Sequence, residues 1–107
     1  MNRINVVVTA LAHDDMLQAT AHHLGEGSTP LAVAFVTAVE QTLGRVRAHP
    51  AAGSPRYAHE LNLPGLRCRS VTGLPYLVFY RMEAGTVTVW RVLHAERDIP
   101  AHLRDPE

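Results

Sequence analysis

Short β-branched and aromatic runs bracket two stretches in which apolar residues recur every three or four positions. Ile4-Asn-Val-Val-Val8 predicts a strand, and Thr9 behind it is placed to cap a helix over 10–24, with Asp14 and Asp15 near its positive N-terminal end. Leu17, Ala21 and Leu24 fall on one face of that helix. Gly25-Glu-Gly27 ends it, and Ser28-Thr29-Pro30 opens a second helix with Thr29 as N-cap and the proline at the first helical position. From 31 to about 48, Leu31, Ala34, Phe35, Ala38, Val39, Leu43 and Val46 form an apolar stripe, so this helix is amphipathic and suited to packing on a sheet. His49-Pro50 through Ser54-Pro55 terminates the αα-hairpin, because a residue before proline is driven out of the helical region, and a loop is expected to about Leu63.

The second half reads as strands. Leu66-Arg-Cys-Arg-Ser-Val71 begins by alternating apolar and basic residues, which predicts a half-buried strand with Arg67 and Arg69 on one face and a turn starting at Gly73. Pro75 to Glu83 and Thr86 to His94 are two β-rich runs separated by Ala84-Gly85, a hairpin signal. The second run leads into a cluster of His94, Glu96, Arg97 and Asp98, with Asp98 positioned to cap a terminal turn begun by Ile99-Pro100. The expected fold class is α+β in the order β-α-α-β-β-β: an antiparallel sheet with the αα-hairpin on one face and a short C-terminal segment, forming one domain over 1–107.

Composition narrows the function more by exclusion than by assertion. At 107 residues and 47% apolar content the chain supports one core and is not of disordered composition. No apolar run approaches the roughly 20 residues of a membrane span, and the N-terminus lacks the apolar region and cleavage site of a signal peptide, so the expected address is the cytoplasm. Cys68 is the single cysteine and reads as a small buried hydrophobe. All ten basic residues are arginine, so lysine general-base and Schiff-base chemistry are excluded. The net charge of zero divides unevenly: residues 1–43 hold one Arg against four acids, and residues 44–107 hold nine Arg against six. The basic half is the one to meet an acidic partner, and the modest excess favours a protein over nucleic acid.

The aromatic strand with Tyr80-Arg81, the turn, the apolar strand, and then Arg91-Val-Leu-His94-x-x-Arg97-Asp98-Ile99-Pro100 with Leu103 resemble the C-terminal signature of the RelE/ParE toxin superfamily, most closely its ParE, or plasmid stabilisation, branch. Thr9 to Asp15, His49-Pro50 with Gly53, and Leu66-Arg67 extend the resemblance over nearly the whole chain. It implies the toxin of a type II toxin-antitoxin module, neutralised by a ParD-like or other small antitoxin in a toxin-antitoxin hetero-oligomer. In the ParE branch it implies growth arrest through non-catalytic binding to DNA gyrase. The alternative is ribosome-dependent mRNA cleavage of the RelE type, which uses several Lys and Arg side chains and a tyrosine near the C-terminus. This chain has no lysine and nothing aromatic after Trp90; Arg81, His94 and Arg97 are the candidate replacements, with His102 near the place of the tyrosine.

The surface expected to meet target or antitoxin takes in Arg67, Arg69, Tyr80, Arg81, Arg91, His94 and Arg97. Several of these have a competing structural reading. His94 can act at the rim or simply hydrogen-bond in a sheet corner. Arg81 and Arg91 lie at odd positions in line with Leu77, Phe79, Val87, Val89 and Leu93, so their guanidinium groups must leave the core, pair with a carboxylate or meet a partner. Tyr76, Tyr80 and Trp90 share the other parity and form either an aromatic platform or plain cross-strand packing. His13, Asp14, Asp15, His22 and His23 are metal-ligand types, but their spacing fits no closed zinc pattern and a solvated helix face accounts for them. No cofactor and no metal are expected.

Overall fold

The computed structural model describes residues 4–97 and 99–104, without the side chains of His102 and Arg104. Its elements run β1 (Asn5–Val8), α1 (Ala10–Gly25), α2 (Thr29–Ala48), a 3₁₀ turn (Pro50–Ala52), α3 (Arg56–Leu61), β2 (Leu66–Ser70), β3 (Tyr76–Glu83), β4 (Thr86–His94) and α4 (Ile99–Arg104). Thr9 caps α1 as its sequence position suggests, its hydroxyl accepting from Ala12 N at 3.1 Å. The cap of α2 is Ser28, one residue before the expected Thr29, with Ser28 Oγ accepting from Leu31 N at 3.2 Å. The β3–β4 hairpin turns on Ala84 and Gly85, both at positive φ (51° and 80°), the conformation that matches the twist of the flanking strands. No described helix is long and apolar enough to cross a membrane.

The sheet order is β1-β4-β3-β2. β2, β3 and β4 are antiparallel neighbours, but β1 pairs with β4 in parallel, Asn5 opposite Thr86 and Val8 opposite Val89, so the expected all-antiparallel sheet is corrected to a mixed one. A parallel pair needs a long crossover, and the α1–α2 hairpin is part of it. The loop expected after Pro50 is also corrected, since it contains the 3₁₀ turn and α3. With α4, α3 covers the sheet face opposite the hairpin, so helices lie on both faces instead of one. One core joins Phe35, Val39 and Val46 to Tyr76, Val78, Tyr80, Val87, Val89 and Val92; the other joins Tyr57 of α3 and Ile99 and Leu103 of α4 to Leu66, Phe79 and Leu93. Cys68 is buried in this second core, which pushes its thiol pKa up and makes it a packing residue.

The packing also sets two side-chain orientations. The α1 face carrying Leu17, Ala21 and Leu24 points outward, Leu17 and Leu24 being 54% and 50% exposed, while Ala12, Met16 and Ala19 face the sheet. In β4, Arg91 stands opposite Phe79 and Val89 opposite Tyr80, which leaves Trp90 as an extra residue, a β-bulge. One inserted residue reverses side-chain parity. Val87 and Val89 therefore share the hairpin core with Val92, while Leu93 turns with Trp90 to the opposite core.

Tyr80, expected at a binding surface, is 0% exposed; that assignment and the aromatic platform are corrected. Its hydroxyl donates to Pro50 O at 2.7 Å and accepts from Gly53 N at 3.1 Å, tying β3 to the segment after α2. Gly53 fits because a Cβ there would overlap this hydroxyl. Burial raises the Tyr80 pKa, only partly opposed by the Gly53 hydrogen bond and the charges of Arg67 and Arg69. A phenol with a raised folded pKa stabilises the fold below its unfolded pKa near 10 and loses that contribution as pH climbs through the folded value. Tyr80→Phe should cost about 1–3 kcal/mol by stranding Pro50 O and Gly53 N. A urea midpoint equal to that of the natural chain, with the same slope, would disprove this.

Candidate functional site

The β-bulge in β4 is pinned from α1 on both sides. Thr9 Oγ1 donates to Trp90 O at 3.0 Å, and Thr9 N donates to Val89 O at 3.1 Å. One and a half turns along the helix, the Asp15 carboxylate accepts from Arg91 Nε and Nη2, both at 2.8 Å, and from Val92 N at 2.9 Å. The Asp15 and Arg91 side chains are 9% and 14% exposed, and the hydrogen bond that Arg91 donates to Asp15 raises the Arg91 pKa against the effect of burial. Asp15 is thus a buried clamp, not part of a solvated helix face. Arg91, expected at the binding surface, is engaged inside the fold; the pairing alternative describes it.

Beyond the bulge, β4 ends in a tight turn held by Arg97 N donating to His94 O at 3.0 Å, Ala95 N donating to Pro75 O at 2.8 Å, and Glu96 N donating to His94 Nδ1 at 3.1 Å. The last bond fixes the His94 ring with Nδ1 as acceptor. Tyr76 lies edge-on to His94, ring centroids 5.2 Å apart, and to Phe35 at 4.8 Å. Burial raises the Tyr76 phenol pKa and the nearby positive charge of Arg97 lowers it. Between this turn and α1 opens a cleft of about 410 Å³ whose polar lining includes Asp15, Gln18, His22, His94, Glu96 and Arg97.

His94 and exposed Arg97 therefore meet in one place. The other candidates do not join them. Tyr76 is opposite His94, and Arg81 stands five residues further along β3, roughly 17 Å away. Arg81 also pairs across the sheet with Leu66, on the face of the second core. Its Nη2 is 3.8 Å from Glu83 Oε2 with the side chain 38% exposed. The trio Arg81, His94 and Arg97 is thus not gathered around a common point. Arg67 and Arg69 lie on the edge strand β2. Asp98 and the side chain of His102 fall outside the described residues. Among the described residues no three His, Cys, Asp or Glu side chains stand close enough to hold a metal ion.

The sequence pattern did not single out Gln18, and it left Asp15 and His22 on a solvated helix face instead of at a cleft. Their signal was the 15, 18, 19, 22 spacing, one face of α1 carrying polar groups at helical period beside the core residues Ala12 and Ala19.

Comparison with known families matches residues 6–99 to the ParE toxin of the type II toxin-antitoxin system parDE. Among solved structures, a chain of the chromosomal ParDE toxin-antitoxin system from P. aeruginosa is 18% identical, superimposes with a TM-score of 0.73, and is matched over 88% of this chain and 98% of that one. Curated proteins gave no match.

Proposed function

Because the chain belongs to the ParE toxin family of type II toxin-antitoxin systems and so has a cognate antitoxin, we propose that it arrests growth by binding DNA gyrase in the cytoplasm, without catalysis, through the rim formed by His94 and Arg97. The observation that supports this reading is the division of the nuclease candidates. His94 and Arg97 share a cleft, whereas Arg81 stands on another face at the other end of its strand. Stabilising a pentacovalent phosphate requires several cations converging within hydrogen-bond reach of one point, and the chain has no lysine to replace Arg81. A recognition surface has no such requirement, since an exposed guanidinium beside a fixed imidazole can serve as a protein-binding hot spot.

Induced without its antitoxin, the chain should trigger the DNA-damage response and filamentation while translation continues at first. Co-expression of the antitoxin should reverse both effects. Prompt translational arrest with cuts in ribosome-bound messages and no DNA damage would establish the nuclease alternative instead.

A further inference from the structure

A second set of arginines lies along β2, away from the cleft. Arg67 and Arg69 are two residues apart, so their side chains leave the same face of the strand. That face is shared with their cross-strand partners Tyr80 and Val78, which belong to the hairpin core. Arg67 Nη1 donates to Gly53 O at 2.7 Å at one end of the strand. At the other end, Arg45 of α2 donates from Nη1 to Thr72 Oγ1 at 2.9 Å. β2 ends at Ser70 and Thr72 follows in the turn after it, so between positions 67 and 72 three guanidinium groups lie along one stretch of chain.

Among the described residues this row has no ion-pair partner. The ion pairs among the described residues join Arg56 to Glu60, Arg81 to Glu83 and Arg91 to Asp15, and none includes Arg45, Arg67 or Arg69. Nη1 of Arg69 is buried with no hydrogen-bond acceptor among the described residues. A buried donor without an acceptor is costly, more so on a cation. A Thr or Val at this strand position would avoid that cost. Arg69 as a whole is only half-buried, and an acceptor brought against its guanidinium from outside would relieve that cost.

The approach is constrained. Ser54 exchanges backbone hydrogen bonds with Cys68 (2.8 and 2.9 Å) and so occupies the middle of the free edge of β2. A partner cannot add a strand there and must engage the arginine side chains. Planar guanidinium forks match carboxylates in two-point contacts. A phosphate backbone would need a broad basic surface, whereas the chain has zero net charge and Glu40 and Glu60 occur on the neighbouring helices α2 and α3.

We propose that Arg69, flanked by Arg67 and Arg45, seats the carboxylates of an acidic segment of a protein partner, which under the reading above is the antitoxin. Only the partner's identity rests on that reading. Separate Arg69→Gln and Arg67→Gln chains, each checked for folding by circular dichroism, are titrated with the cognate antitoxin and with an oligoglutamate peptide. Arg56→Gln, which removes an exposed arginine already paired with Glu60, is the control. Arg69→Gln should weaken antitoxin binding by about thirtyfold or more, as expected when one partner of a desolvated charge pair is removed. The natural chain should bind oligoglutamate in a salt-sensitive manner, both variants should lose that binding, and the control should keep it.

Folded Arg69→Gln and Arg67→Gln chains that bind both ligands as the natural chain does would overturn the proposal. Should Arg69→Gln fail to fold, Arg67→Gln and Arg45→Gln decide it in the same assay. An oligoribonucleotide that displaces oligoglutamate from these arginines and binds more tightly would replace the carboxylate assignment with a phosphate one. An antitoxin that does not bind the natural chain would defeat the toxin-antitoxin reading, while the oligoglutamate titration would still decide whether the seat exists.

Discussion

The Asp15→Ala chain should unfold about 3–5 kcal/mol more easily than the natural one, the cost expected when one half of a buried ion pair is removed and the other stays behind. Asp15 accepts two hydrogen bonds from Arg91 and one from Val92 N, all between 2.8 and 2.9 Å. The substitution takes a carboxylate from a guanidinium whose side chain is 14% exposed and an acceptor from a backbone amide next to the bulge. A loss of that size in a domain of about 100 residues lowers the melting temperature by on the order of 10–30 °C. The neighbouring Asp14 is exposed, and Asp14→Ala should stay within about 0.5 kcal/mol of the natural chain. Urea unfolding of the two variants side by side checks this, and equal midpoints would show that the clamp carries little stability. Residual structure in Asp15→Ala should be loosest at the end of β4, because the bulge would keep only its Thr9 tether.

Features set by neighbouring residues were legible in the sequence. The Thr9 cap, the Ala84-Gly85 turn, the stripe of Phe35, Val39, Leu43 and Val46, and the alternation of Arg67 and Arg69 depend on spacings of four residues or fewer, and each appears in the structure. The family followed from its C-terminal wording, and the match over residues 6–99 bears it out. Features set by distant residues were not legible. Tyr80 looks like a surface aromatic until its partners Pro50 O and Gly53 N, 30 and 27 positions away, are known. Asp15 looks like a helix-terminal charge until Arg91, 76 positions on, reaches it. The parallel pairing of β1 is decided by a crossover and not by its own four residues. Within β4, the extra residue at Trp90 defeats any parity argument run through it, and this misplaced Leu93 beside Val87 and Val89. The six residues of α3 are too few for a helical period to show.

The rim of the cleft is where the proposed activity should be lost without loss of structure. Arg97 is exposed, its backbone N–H is bonded to His94 O, and its charge acts on Tyr76, so truncation of the side chain leaves the turn bonded and the core intact. An exposed cation contributes little to stability, yet a single arginine at the centre of an interface can be worth 2 kcal/mol or more, roughly a thirtyfold change in affinity. Arg97→Ala should therefore fold like the natural chain, bind the antitoxin with similar affinity and lose most of its inhibitory effect. The most direct measurement is DNA supercoiling by purified gyrase in the presence of the natural chain and of Arg97→Ala, with circular dichroism and antitoxin titration on the same preparations. The account predicts inhibition by the natural chain, relief of that inhibition by antitoxin, and at least a thirtyfold higher concentration of Arg97→Ala for the same effect. A folded, antitoxin-binding natural chain that leaves gyrase unaffected, or an Arg97→Ala chain that inhibits it equally, would contradict it.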